Sequence, residues 1–192
     1  MRIRESILES IEVKKKIAEN EVLQAILRKL ADACVESLKN GGKVLFCGNG
    51  GSAADAQHLS AELSGRFYYD RPPLASEALH VNTSYLTAVA NDYSYDEVYA
   101  RMVKATGKEN DILIGISTSG NSKNIIKAFD AAKNLNMKCA AFTGETGGAM
   151  KDYADFLINV PSMDTPRIQE SHILLGHILC ELIESDMFPQ NK

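Results

Sequence analysis

The segment that most restricts the fold is Asp111-Ile112-Leu113-Ile114-Gly115-Ile116, followed at once by Ser117-Thr118-Ser119-Gly120-Asn121-Ser122. A short apolar run without polar alternation, closed by a polar turn, reads as a strand covered on both faces. The same pattern recurs at Lys43–Cys47, Ala78–Val81, Lys138–Phe142 and Phe156–Val160. Between these runs lie helical patterns at Ser52–Leu63, Ser84–Ala90, Ser94–Thr106 and Asn124–Leu135, a short one at Gly148–Tyr153, and a long final one at Arg167–Ser185. Strands alternating with helices give parallel βαβ units. The expected fold is therefore α/β, a three-layer α/β/α arrangement around a five-stranded parallel sheet. In front of it the first forty residues read as a helix pair, with Val22, Ile26, Leu27, Leu30, Ala33 and Cys34 at helical spacing and Asn40-Gly41-Gly42 as the stop. The apolar stripes of that pair need a partner surface, such as another subunit. The expectation is one domain over residues 1–192, with residues 1–40 as N-terminal helices used in oligomerisation.

In this fold class ligands bind beyond the carboxyl ends of the strands, in the loops that open the next helix. Two polar, glycine-rich stretches fall there. Ser117, Thr118, Ser119 and Ser122 put four hydroxyls at a helix opening, and Gly120 allows a tight turn. Hydroxyls beside unpaired helix-start N–H groups suit a phosphate monoester. A capped βα turn would need only one such serine. The pattern GxxxxGK[ST] is absent, which disfavours a nucleoside triphosphate. The second stretch, Gly48-Asn49-Gly50-Gly51-Ser52, places Ser52 where it can cap a helix and Asn49 where it can meet sugar hydroxyls. A plain tight turn explains that stretch equally well.

His58 and Glu62 stand four residues apart on the following helix and share a face. That spacing serves two ligands of one metal, an acid and base beside one substrate, or a surface pair. The final helix carries Gln169, His172 and His177. Gln169 and His177 are separated by about 12 Å of rise and about 80° of rotation. A straight helix should therefore deliver them to different parts of a site, or to sites in different subunits. His172 reads as structural or partner-facing, and His177 among apolar neighbours also reads as a buried histidine. Asn91 and Asp92 either bind hydroxyls or end a helix. Arg66 either faces a phosphate or, as the favoured reading, forms one half of a surface ion pair.

The net charge of −4 and the absence of a clustered basic face exclude a broad nucleic-acid surface. No apolar run reaches the roughly 20 residues of a membrane span, and the opening residues lack the apolar core of a secretion signal. The four cysteines are dispersed without a CxxC and read as buried reduced thiols of a cytoplasmic protein.

Taken together, CGNGGSAADAQH, LTAVAND, GISTSGNS and RIQESHILLGHI, in this order and spacing, resemble the sugar isomerase (SIS) domain family, and more closely its phosphoheptose isomerases. The resemblance covers nearly the whole chain. It implies a flavodoxin-like SIS fold and a homotetramer with active sites at subunit interfaces. It also implies aldose–ketose isomerisation of D-sedoheptulose 7-phosphate to D-glycero-D-manno-heptose 7-phosphate, the first step toward activated heptose for lipopolysaccharide or capsule. By position, Glu62 and His177 would be the acid/base pair. His58, Glu62, Gln169 and His177 would hold one zinc ion per subunit. Asn49, Gly50, Gly51, Glu62, Asn91, Asp92, Ser117, Thr118, Ser119, Ser122 and Gln169 would bind substrate. Pro166 departs from the acidic residue that some members carry three positions before the glutamine, so that helper role does not transfer, and Asp164 is the nearest substitute. The ending CELIESDMFPQNK and the run DEVYARMVKATG also resemble a non-catalytic SIS protein that associates with the replication initiator DnaA. That relative lacks the acid/base pair, which this chain retains.

Overall fold

A computed structural model describes residues 2–190; Met1, Asn191 and Lys192, which fall inside the expected domain bounds, lie outside the described residues. Two helices, α1 (Arg2–Glu19) and α2 (Glu21–Lys39), precede β1 (Val44–Gly48), α3 (Gly51–Ser64), β2 (Ser76–Ala78), α4 (Thr83–Asp92), α5 (Val98–Thr106) and β3 (Ile112–Ile116). Then come α6 (Lys123–Lys133), β4 (Lys138–Thr143), β5 (Phe156–Asn159) and α7 (Thr165–Met187). The five strands are all parallel, in the order β2-β1-β3-β4-β5.

Strand side chains alternate between two buried clusters, which explains why the strands read as continuous apolar runs. Val44, Phe46, Ile112, Ile114, Ile116, Ala140 and Phe142 face one layer with residues of α1, α2, α3 and α7. Leu45, Cys47, Leu113, Cys139 and Ala141 face the other layer with residues of α5 and α6. Each face is covered by helices, as a parallel sheet requires. All four cysteines are buried and free.

Three local expectations are corrected. The second strand ends at Ala78; residues 79–80 turn, because strand pairing with β1 stops at Phe46↔Ala78. The expected helix at Gly148–Tyr153 is a 3₁₀ turn over Ala149–Asp152, and a second 3₁₀ turn, Tyr95–Glu97, opens the segment expected to be helical from Ser94. Ser52 does not cap α3: Gly50 occupies the cap position with a φ of 56°, and Ser52 is buried in the first turn.

The reversal of strand order between β1 and β3 is where the site forms. Gly48 is paired with Ile116, so the two polar loops leave the sheet side by side.

Candidate active site

The β1 loop and the β3 loop are tied by a reciprocal amide pair. Asn49 Nδ2 donates to Asn124 Oδ1 at 3.0 Å, and Asn124 Nδ2 donates to Asn49 Oδ1 at 2.9 Å. Tyr95 Oη donates to the same Asn49 oxygen at 3.1 Å. The Asn49 side chain is thus committed to joining loops, and its backbone is what remains for a ligand. Asn124 and Tyr95 were not singled out as site residues; Asn124 is buried at the start of α6, where sequence alone reads it as an ordinary helix position.

In the serine loop, Ser117 Oγ and Ser122 Oγ lie 2.8 Å apart, and Ser119 Oγ accepts from the Asn121 amide at 3.2 Å. Ser122 occupies the cap position of α6 without a side-chain cap bond. The first-turn N–H groups and the neighbouring hydroxyls therefore share one mouth, the arrangement a phosphate monoester needs. Thr118 is half-buried and Ser119 exposed, and both line a small polar cavity with Ser162 and Thr165.

The second half of the site lies between α3 and α7, which run side by side in the same direction. Gly51 meets Gln169 at one end, and Leu59 meets Gly176 further along. A Cβ at Gly51 would stand 2.3 Å from Gln169 Nε2, so any side chain there would displace that amide from its place. One turn on lies Asp55, whose ionised form the Gln169 amide and the His58 and His177 rings favour. Burial nonetheless raises the Asp55 pKa, and its Oδ2 is buried without a partner. Asp55 was not foreseen as a site residue. Its signal was present in the spacing Asp55, His58, Glu62, which is one stripe of a helix. His58 Nε2 is 3.0 Å from His177 Nε2 and 3.2 Å from Glu62 Oε1.

Within one chain Gln169 meets the Gly51 end of α3 and His177 the His58–Glu62 end. His177 is only partly buried and keeps its ring at the site, whereas His172 is the structural histidine, 1% exposed with its Nε2 3.0 Å from the Thr143 carbonyl. Asn91 and Asp92 are exposed at the end of α4, with Asn91 Nδ2 donating to Asp92 Oδ1 at 2.9 Å. No contact among the described residues joins them to the rest of the site. Arg66 is exposed, and no described carboxylate lies within ion-pair reach, contrary to the expected surface pair. Asp164 faces solvent beside Arg167 at 4.0 Å, with no contact to Gln169 or His177.

Imidazole nitrogens and carboxylate oxygens bind zinc at about 2.0–2.2 Å, which sets tetrahedral neighbours about 3.3 Å apart. The two close contacts of His58 have nearly that spacing. The donor types of His58, Glu62, Gln169 and His177, nitrogen and oxygen with no thiolate, suit the ion; His58, Glu62 and His177 stand together, while Gln169 lies at the Gly51 end. Among the described residues no group of three or more His, Cys, Asp and Glu side chains is placed so that it could hold a metal ion.

A flavodoxin-like parallel sheet with a serine-rich anion loop at the β1/β3 switch and an imidazole–carboxylate cluster beside it defines the SIS class, and the SIS domain family model matches residues 8–144. The chain belongs to the SIS domain family and, within it, to the phosphoheptose isomerases. It is 52% identical over 186 residues to the phosphoheptose isomerase of Burkholderia pseudomallei, covering 97% of this chain and 94% of the relative. It is 54% identical over 171 residues to that of Helicobacter pylori, with 89% of each chain covered. The solved structure of a phosphoheptose isomerase from Francisella tularensis superposes with a TM-score of 0.92 at 41% identity, over 96% of this chain and 97% of that one.

Proposed function

We propose that this isomerase interconverts D-sedoheptulose 7-phosphate and D-glycero-D-manno-heptose 7-phosphate, the first step toward activated heptose for lipopolysaccharide or capsule. The observation that carries this reading is the convergence of His58, Glu62 and His177 beside a serine loop built for a phosphate. One group removes a proton from C1 as the C2 carbonyl oxygen gains one, giving an enediol. A proton then returns to C2 as the C1 hydroxyl loses its own, so the C1 aldehyde forms with no net oxidation. Glu62 and His177 carry the two carbon-linked transfers in this reading, which a carboxylate and an imidazole can perform near neutral pH. The serine loop, with Ser117, Thr118, Ser119 and Ser122, grips the phosphate and supplies binding energy remote from the reacting carbons. Zinc held by His58, Glu62, Gln169 and His177 would stabilise the negative charge that develops on the substrate oxygens.

The wider reading is a cytoplasmic homotetramer with sites at subunit interfaces. It is supported by the exposed apolar stripe Ile3, Ile7, Ile11 on α1 and by the absence, among the described residues, of any helix long and apolar enough to cross a membrane. The DnaA-associating alternative is not favoured, since the relatives at about half identity are phosphoheptose isomerases.

The test is isotope incorporation. Sedoheptulose 7-phosphate incubated with the protein in D₂O should yield an aldose deuterated at C2, read by NMR, and a chelator should suppress it. A folded, metal-loaded protein that produces neither aldose nor exchange would refute the reading.

A further inference from the structure

The loop after α3 and the end of α7 hold a charged pair that the proposed chemistry does not use. Arg71 Nε donates to Glu184 Oε1 at 2.9 Å, and both side chains are 1% exposed. The rest of the guanidinium is spent on backbone. Nη1 donates to the Leu63 carbonyl at 2.7 Å and to those of Gly65 and Pro72 at 3.1 Å; Nη2 donates to the Glu62 carbonyl at 2.8 Å. These include the carbonyls of the last turn of α3, which no later turn of that helix can satisfy. A cation there also answers the negative end of the helix dipole. Glu184 in turn accepts from the Phe67 N–H at 2.9 Å and the Tyr68 N–H at 2.7 Å. Burial pushes its pKa upward, but those two amides and Arg71 outweigh the burial and hold the carboxyl below its usual range.

Burying two charges costs several kcal/mol per ion before any attraction is counted, and an apolar pair of similar volume often stabilises as well. Stability alone is a weak reason for such a pair. Its position supplies a better one. Glu184 lies seven residues after His177, two turns along the same stripe of α7. Glu62, whose carbonyl Arg71 holds, carries the carboxylate beside His58. Phe67, whose N–H Glu184 holds, sets its ring 5.8 Å from that of His177. The pair is thus linked by one bond to the helix turn bearing Glu62 and by one residue to a ring packed on His177. A slip of one residue between α3 and α7 would displace His177 by about 1.5 Å and 100° relative to His58.

We propose that Arg71 and Glu184 form a clamp that sets the register of α3 against α7, and so act as positioning residues for the His58–Glu62–His177 cluster. The inference rests on the isomerase reading for its kinetic consequence but not for its structural one.

The test uses the full chain with two variants. R71M/E184L replaces the pair by apolar groups of similar size. R71K keeps the charge and loses the fork that reaches several carbonyls. Each is measured for melting temperature, for kcat and KM with sedoheptulose 7-phosphate, and for imidazole nitrogen shifts by NMR of metal-free protein. The expected result is a folded protein whose kcat falls at least tenfold with KM changed less than threefold. The His58 and His177 signals should move while that of His172 stays in place. A folded variant with unchanged His58 and His177 signals overturns the clamp. So does a folded variant with wild-type kcat. If wild type shows no turnover, the isomerase reading fails, and the imidazole shifts alone decide the clamp. If R71M/E184L does not fold, R71K carries the same decision.

Discussion

At the scale of single residues, the proposed site separates groups that would transfer protons from groups that would hold the substrate. Replacing Glu62 with Gln keeps its shape and removes the base. Turnover should fall by about 10²–10⁴, while circular dichroism and melting stay close to wild type. Ser119→Ala with Ser122→Ala removes two hydroxyls from the phosphate mouth. At about 1 kcal/mol per hydrogen bond, KM should rise by roughly 10- to 100-fold; an unchanged KM would refute the phosphate assignment. The serine loop was legible because four hydroxyls in six residues exceed what a turn needs. Asp55 and Asn124 were not. A carboxylate one turn before a histidine is common on any helix surface, and the pairing of Asn124 with Asn49 spans a sequence gap of 75 residues that no local pattern reveals.

At the scale of elements, the decisive contact is that of α3 with α7. A Cβ at Gly176 would come within 2.5 Å of the Leu59 side chain, which is itself 1% exposed and has little room to yield. Gly176→Ala should therefore push the helices apart, cost about 1–3 kcal/mol in denaturant unfolding, and reduce kcat more than KM. The strands and most helices were readable in advance because parallel strands covered on both faces stay apolar throughout and their connecting helices keep a 3.6-residue period. The edge strand β2 was placed too late in the chain because Leu79, buried at 1%, continues the apolar run after pairing has ended. The side-by-side packing of α3 and α7 was not readable. Helical periodicity says which face is buried but not which helix covers it.

At the scale of the whole molecule, folding leaves two histidines that resist protonation, His80 and, more strongly, His172. Burial pushes the His172 pKa down to about 4, against the pull of the Thr143 carbonyl. The unfolded chain, with an ordinary imidazole near 6.5, binds the proton more readily. This contribution to stability is complete above about pH 6.5 and is lost as pH falls toward 4, at a cost of about 3 kcal/mol. Urea midpoints measured between pH 7 and 4 should fall accordingly, and His172→Gln should flatten that slope. The two layers of the molecule also divide its labour. The serine loop opens α6 on one face of the sheet, while the proposed acid, base and metal donors belong to α3 and α7 on the other. The Asn49–Asn124 pair and the Tyr95 hydroxyl on Asn49 tie the two layers together, and a bound sugar phosphate would span both. Evolution can therefore erase the chemistry from one layer and leave the grip of the other intact, so that a descendant which no longer turns over its substrate can still report its presence.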